Sequence, residues 1–109
     1  MRIGDDFIAI LKYKDTADGG RKTPALSGYR PQVKFQFTEM QTSGNQSFID
    51  KDIVYPGETV RAYIKLGSPH LFEHLLYEGM EYEFREGSHI IGTGTIITIL
   101  NLILKKDGN

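Results

Sequence analysis

The sequence contains no cysteine and no tryptophan, and only four of its 109 residues are proline. Without cysteine, the chain cannot form a disulfide framework, a zinc ribbon or an iron–sulfur cluster, and it has no thiol nucleophile. It also lacks an excess of charge of either sign, because thirteen Lys and Arg are balanced by fourteen Asp and Glu. This balance excludes a polybasic arm that coats nucleic acid by charge alone.

Long hydrophobic runs are missing as well. The longest apolar-rich stretch, Ile90–Leu104, is interrupted by glycine, threonine and asparagine, and it is shorter than the ~20 residues of a membrane helix. Asp5 and Asp6 stand where a signal peptide would begin its apolar segment. We therefore expect a cytoplasmic protein without a membrane partner.

Hydrophobic alternation with a period of two dominates what is present. This alternation is typical of β-strands, whose successive side chains point to opposite faces. The strongest strand candidates are Phe7–Lys14, Val33–Thr38, Val60–Leu66, Met80–Arg85 and Thr95–Leu100. Ser47–Ile49 is a shorter candidate, and His70–Tyr77 is the only helical candidate, expected as one turn within a loop.

Turn signals separate these runs, among them Asp18–Gly20, Pro56–Gly57 and Glu86–Ser88. Six or so short strands with regularly spaced turns predict an all-β barrel or sandwich. We assign this single domain to residues 6–104, with a lead-in at residues 1–5 and a frayed polar tail at residues 105–109.

Two motifs resemble reaction centres. His70–His74 matches the H-x-x-E-H pattern in which a helix presents two zinc ligands and a basic glutamate. The pattern needs a third ligand from another helix, and we interpret it as a chance match in a loop that covers a barrel end. Gly92–Thr95 lacks the following helix of a phosphate cradle, which favours a close backbone approach within a strand. We therefore predict no catalytic residue, no metal and no cofactor.

The long loop Gly19–Gln32 carries Arg21, Lys22 and Arg30 together with Tyr29. Cationic donors beside an aromatic side chain and an amide can hold phosphates and riboses. A solvated loop without a ligand is the alternative.

Three segments in order resemble the third, carboxy-terminal domain of bacterial elongation factor Tu. They are Gly19–Gln32, Val54–Val60 and Phe84–Gly94, and the resemblance covers about residues 6–100. It implies a six-stranded antiparallel Greek-key β-barrel. In the family, this barrel packs on a GTPase domain and a second barrel, and it contacts the T-stem of aminoacyl-tRNA and the nucleotide-exchange factor.

Carried over by position, the resemblance implies an RNA-facing set on the long loop and the last turn. The set is Arg21, Lys22, Gln32, Glu86 and Gly87. Lys22 stands where the family usually has His, and Gln41, or Thr42 after a shift, stands where a Thr faces tRNA. Leu71–Tyr77 looks like an insertion. The chain has no P-loop, so we expect a stand-alone module that does not hydrolyse GTP.

Two functions follow from these observations. The first is a non-enzymatic module that binds a tRNA stem or other structured RNA weakly, with a helper chain or a dimer to strengthen the contact. The second is a protein-interaction barrel that docks on a translation factor or another protein through Leu71, Phe72, Leu75, Gly92 and Gly94. A relic without a role in translation is a third possibility.

Overall fold

The strands close into a barrel in the computed structural model, which describes residues 4–107. The strands are β1 (Phe7–Tyr13), β2 (Ala25–Leu26), β3 (Gln32–Phe35), β4 (Gln41–Phe48), β5 (Ile53–Val54), β6 (Thr59–Leu66), β7 (Glu81–Glu86) and β8 (His89–Ile99). The barrel order is β1–β6–β4–β3–β7–β8, with β8 pairing back onto β1. Every neighbouring pair is antiparallel, which confirms the predicted six-stranded antiparallel barrel.

The connections give the barrel two distinct ends. At the first, which we call the loop end, β1 runs into the long loop to β3, and the β7–β8 hairpin turns at Gly87. At the second, which we call the apolar end, β6 leads through a 3-10 helix at Pro69–Phe72 towards β7. Of the predicted helical candidate His70–Tyr77, only the first part is helical, and two further 3-10 helices, Thr16–Asp18 and Leu102–Leu104, were not predicted. No helix within residues 4–107 has the length and hydrophobicity to cross a membrane.

The inward positions of the alternating strands form the core. Phe35 packs against Phe72 with ring centroids 5.0 Å apart and against Tyr82 at 5.5 Å. Tyr13 packs against Phe84 at 5.0 Å, and its hydroxyl donates to the side-chain carbonyl of Gln46. Aromatic rings therefore pack against one another in the barrel interior, which side chains fill as expected for a small closed barrel.

Two glycines of β8 make room for these rings. A Cβ at Gly92 would lie 2.7 Å from Phe84 Cε2 and 2.7 Å from the carbonyl oxygen of Lys12. A Cβ at Gly94 would lie 2.6 Å from Tyr82 Cε1. The prediction that Gly92–Thr95 lies in a strand with a close backbone approach, and does not form a phosphate cradle, is confirmed. Both glycines are buried, so neither contributes to the surface on which a protein interface was predicted.

Strand β4 is longer than its candidate, Ser47–Ile49. Its inward positions are Thr42, Gly44 and Gln46, which are buried although none is a large apolar residue. A side chain at Gly44 would collide with Val33, and Gln46 is held by Tyr13. Hydrophobic alternation is therefore absent from a strand that closes the barrel.

The predicted lead-in and tail are partly built into the fold. Asp6, the first residue of the predicted domain, is buried next to the lead-in, and its carboxylate accepts the backbone N–H of Leu66 at 2.7 Å and the side-chain amide of Asn101 at 3.0 Å. Asp5 is buried too. At the other terminus, Lys106 N–H donates to the carbonyl of Leu76 at 2.7 Å, so the predicted tail is tied down there. Residues 1–3 and 108–109 lie outside the described residues.

Buried tyrosines make stability sensitive to alkali. Burial raises the pKa of Tyr13 and of Tyr82 above the ordinary value of about 10. Above about pH 10 the unfolded chain loses these protons while the folded chain keeps them, so the free energy of unfolding falls as pH rises. Urea unfolding between about pH 8 and pH 11 measures this decline, and Tyr82→Phe is expected to make it less steep. An unchanged slope in that variant would count against Tyr82 as a source.

Candidate functional site

The loop end brings two distant segments of the chain together. The loop between β1 and β3 lies against the β7–β8 hairpin, where Glu86 pairs with His89 across the turn. The ring Nε2 of His89 contacts the carbonyl oxygen of Gly19. Gly87 has a positive φ of 62°, a left-handed conformation that lets the hairpin turn tightly. The hairpin thus packs against the loop and supports it.

Local features of the sequence fix the path of the loop. A Cβ at Gly20 would lie 2.6 Å from the carbonyl carbon of Lys14, so only glycine fits there. The Thr16 hydroxyl donates to the carbonyl of Arg21 at 2.6 Å. Further along, Gln46 N–H donates to the carbonyl of Tyr29 at 2.8 Å and thereby joins the loop to β4. The loop is therefore held at several points along its length.

An ion pair and a hydrogen bond converge on Glu86. Arg21 Nη1 and the Tyr29 hydroxyl both contact Oε2 of Glu86. The guanidinium also lies over the Tyr29 ring, 4.6 Å from its centroid, and donates through Nε to the carbonyl of Thr23 at 3.2 Å. Only 17% of the Arg21 side chain is exposed. Arg21 therefore ties the loop to the hairpin, and it presents little surface to a ligand.

The cluster has a defined charge state at neutral pH. Burial opposes the charge of Arg21, but the interactions with Tyr29 and Glu86 outweigh it and raise its pKa. Burial, followed by the hydrogen bond and negative charge of Glu86, raises the pKa of Tyr29. Arg21 is thus a cation and Tyr29 a neutral donor. Glu86 accepts from both through one oxygen.

All five residues of the predicted RNA-facing set lie in the loop, in the hairpin or on the strands between them. Arg21 and Glu86 are in direct contact, and Lys22 follows Arg21 with its side chain exposed. Gly87 is exposed at the hairpin turn, and Gln32 is exposed on β3 opposite Arg85 of β7. The structure therefore places the five residues at one end of the barrel.

Some members of the site were outside that set. Tyr29 was identified only as a residue of the loop, and in the structure its hydroxyl donates a hydrogen bond to Glu86. His89 supports the loop through Gly19. Arg85 pairs with Glu83 on its own strand at 2.5 Å, so its charge is compensated locally. Only the period-two spacing of Glu83 and Arg85 on one strand face could have signalled that pair.

The predicted protein interface is divided between core and surface. Phe72, the last residue of the 3-10 helix, is completely buried because its ring packs on Phe35. Leu71 and Leu75 are 38% and 42% exposed. Gly92 and Gly94 lie in the core, as described above. Leu71 and Leu75 are therefore the only two of the five that offer side-chain surface.

Further apolar side chains are exposed at this end of the barrel. We call Phe37, Leu71, Leu75, Tyr77, Leu102 and Ile103 the exposed apolar set. Backbone hydrogen bonds join its two loops, from His74 N–H to Ile103 at 2.8 Å and from Leu76 N–H to Leu104 at 2.9 Å. A cavity of about 360 Å³ opens beside them, lined by Gln36, Phe37, Leu75, Tyr77, Met80 and Lys106.

The H-x-x-E-H segment does not form a helical ligand pair. The 3-10 helix ends at Phe72, and His74 has a positive φ of 62°. His70 and His74 are therefore not one turn apart on a helix face, and His74 Nδ1 instead lies 3.6 Å from an Asp107 carboxylate oxygen. In the part of the chain that the structure describes, no group of three or more His, Cys, Asp or Glu is placed to hold a metal.

Comparison with models of protein families shows which family the chain matches. The model of the elongation factor Tu C-terminal domain matches residues 4–100. The matched region includes all six barrel strands, the loop Gly19–Gln32 and the β7–β8 hairpin.

Proposed function

Because the chain belongs to the elongation factor Tu C-terminal domain family, we propose that it is a non-enzymatic translation-factor barrel that binds a tRNA-like stem weakly at its loop end. The observation that carries this proposal is the Arg21–Glu86–Tyr29 cluster, because it holds the long loop against the hairpin and leaves Lys22 and Gln32 exposed beside it. A fixed loop pays less ordering entropy on binding than a mobile one.

The proposal gives the residues different roles. Lys22 makes no ion pair within residues 4–107 and supplies charge for a phosphate, while Gln32 offers an amide to sugar or phosphate oxygens. The second carboxylate oxygen of Glu86 is available to accept a ribose 2′-hydroxyl, the group that distinguishes RNA from DNA. Arg21 is a positioning residue. This division refines the sequence-based set, in which all five residues faced RNA.

The expected affinity is low. The few charged contacts at this end correspond to non-specific binding, with a Kd typically of ~10⁻⁴–10⁻⁶ M that weakens as salt rises. A helper chain or a dimer would add the contacts that tighter binding requires.

We expect a tRNA stem to shift the amide NMR signals of residues 19–32 and 86–88, and the shifts to shrink as salt rises. Lys22→Gln should lower the slope of log K against log salt by about one, because one phosphate contact is lost. Lys105→Gln is the matched control, since Lys105 is an exposed lysine at the apolar end. Spectra that do not respond to high concentrations of RNA would overturn the proposal.

The exposed apolar set supports a second candidate, a barrel that docks on a translation factor or another protein. Isolated exposed leucines are ordinary, but a contiguous apolar surface often marks an interaction site. In affinity capture with matched baits, Leu75→Asp should lose a partner that the unchanged protein retains. Equal capture by both baits would count against this surface.

A further inference from the structure

A small pocket on the side of the barrel collects uncompensated positive charge. Its volume is about 230 Å³ and it is lined by Arg30, Ser43, Asn45, Lys65, Leu66 and Gly67. Two of these residues are cationic, two carry neutral hydrogen-bonding side chains, and none is acidic. The pocket is separate from the Arg21–Glu86–Tyr29 cluster.

Strand register brings the polar side chains of the pocket together. Asn45 of β4 lies directly opposite Lys65 of β6, so their Cβ atoms are about 5 Å apart on the outer face of the barrel. Gly44 N–H donates to the carbonyl of Pro31 at 2.8 Å, which places Arg30 beside β4. The arrangement is therefore set by the backbone hydrogen bonds of the fold.

The floor of the pocket also depends on backbone contacts. Gly67 N–H donates to the carbonyl of Ser43 at 2.9 Å. A side chain at Gly67 would collide with the Ser43 hydroxyl, so glycine at this position leaves that hydroxyl uncovered. Lys65 and Arg30 both line the pocket and are exposed.

The two cations of the pocket have no carboxylate partner within residues 4–107, whereas five other cations of the described residues have one. Within residues 4–107, ion pairs are made by Arg21, Lys34, Lys51, Arg61 and Arg85. Arg30 and Lys65 make none among the same residues. Two like charges that converge on one pocket repel each other, and an anion between them removes the repulsion.

We propose that this pocket binds a phosphate group. A guanidinium offers paired donors that match phosphate oxygens, an ammonium adds a compact charge, and the Ser43 hydroxyl adds a third donor. The volume admits a phosphate with part of the group that it esterifies. The phosphate belongs either to a free mononucleotide or to an RNA backbone.

The RNA source rests on the proposed function and extends it. Gln32 of β3 pairs with Arg85 of β7 on one side and with Ser43 of β4 on the other. Neighbouring strands are about 4.8 Å apart, so a row of outward polar side chains runs from the hairpin to the pocket. An RNA stem held at the loop end would place a backbone phosphate along this row.

The first experiment uses inorganic phosphate and a 5′-mononucleotide as probes in amide NMR titrations. We expect shifts at Ser43–Asn45 and Lys65–Gly67. Lys65→Gln and Arg30→Gln should each weaken the binding about tenfold, because each removes a charge-assisted hydrogen bond. The control is Lys12→Gln, because Lys12 lies opposite Thr59 and so about 20 Å along β6 from Lys65. Equal binding by Lys65→Gln and the unchanged protein would overturn the proposal.

The second experiment repeats the titration with an RNA stem and separates the two proposals. If the backbone is the source, Lys65→Gln lowers the salt slope by about one while the shifts at residues 19–32 persist. If phosphate binds the pocket and RNA binds nowhere, the pocket stands and the RNA function falls. If RNA shifts only the loop end and neither phosphate nor RNA shifts the pocket, the pocket proposal falls and the RNA function stands. Unchanged melting temperatures show that the surface variants remain folded.

Discussion

We expect Phe72→Ala to lower the free energy of unfolding by about 3–5 kcal/mol. The ring is completely buried, 5.0 Å from the ring of Phe35 and 6.3 Å from that of Phe37. Removing it takes away apolar contacts and leaves a cavity that a closed barrel cannot easily collapse. Urea denaturation at neutral pH, fitted to a two-state transition, measures the change.

Leu75→Ala is the matched control for this experiment. Leu75 lies three residues further along, but 42% of it is exposed, so its replacement should change the free energy of unfolding by no more than about 0.5 kcal/mol. Similar losses in both variants would contradict the division of this loop into a buried residue and a surface residue. The result also matters for function, because Leu75 variants, unlike Phe72 variants, can test partner binding without unfolding the barrel.

Gly92→Ala should destabilise the barrel by about 1–3 kcal/mol. The added methyl would lie 2.7 Å from Phe84 Cε2 on one side and 2.7 Å from the carbonyl oxygen of Lys12 on the other. Phe84 is itself completely buried and the Lys12 carbonyl belongs to the neighbouring strand β1, so neither can move away freely. Denaturant unfolding of the variant gives the magnitude.

A double-mutant cycle tests the reason for this effect. In a Phe84→Leu background the ring is gone, so Gly92→Ala should cost less than in the unchanged protein. Additive effects of the two substitutions would show that the clash with Phe84 is not the cause. Thr93→Ala, at the exposed position between the two glycines, should have little effect.

Period-two hydrophobic alternation was sufficient to predict most of the barrel strands. β1, β6 and β7 were predicted to within one residue of their observed ends, because their inward residues are apolar. β3 was predicted to reach Thr38 but ends at Phe35. β4 was mostly missed, since its inward positions hold Thr42, Gly44 and Gln46. Gly44 is buried against Val33 and Gln46 is held by Tyr13, and no property of the segment itself signals these contacts with other strands.

The candidate site, like the strands, was predicted only in part. Motif order along the chain indicated the family and hence the loop and the hairpin. The contact between Arg21 and Glu86 joins residues 65 positions apart, and no local pattern predicts it. The pocket between Arg30 and Lys65 depends on the pairing of β4 with β6, which follows from barrel closure.

By itself, the sequence determined that this protein is a β-barrel of the elongation factor Tu C-terminal domain family. Its strands could be predicted because hydrophobic periodicity and motif order are local properties of the chain. The tertiary structure alone decided which charges are neutralised and which remain free, and which leucines and phenylalanines reach the surface. Both depend on the distance between side chains that closure of the barrel brings together. The separation of these residues along the sequence does not determine that distance.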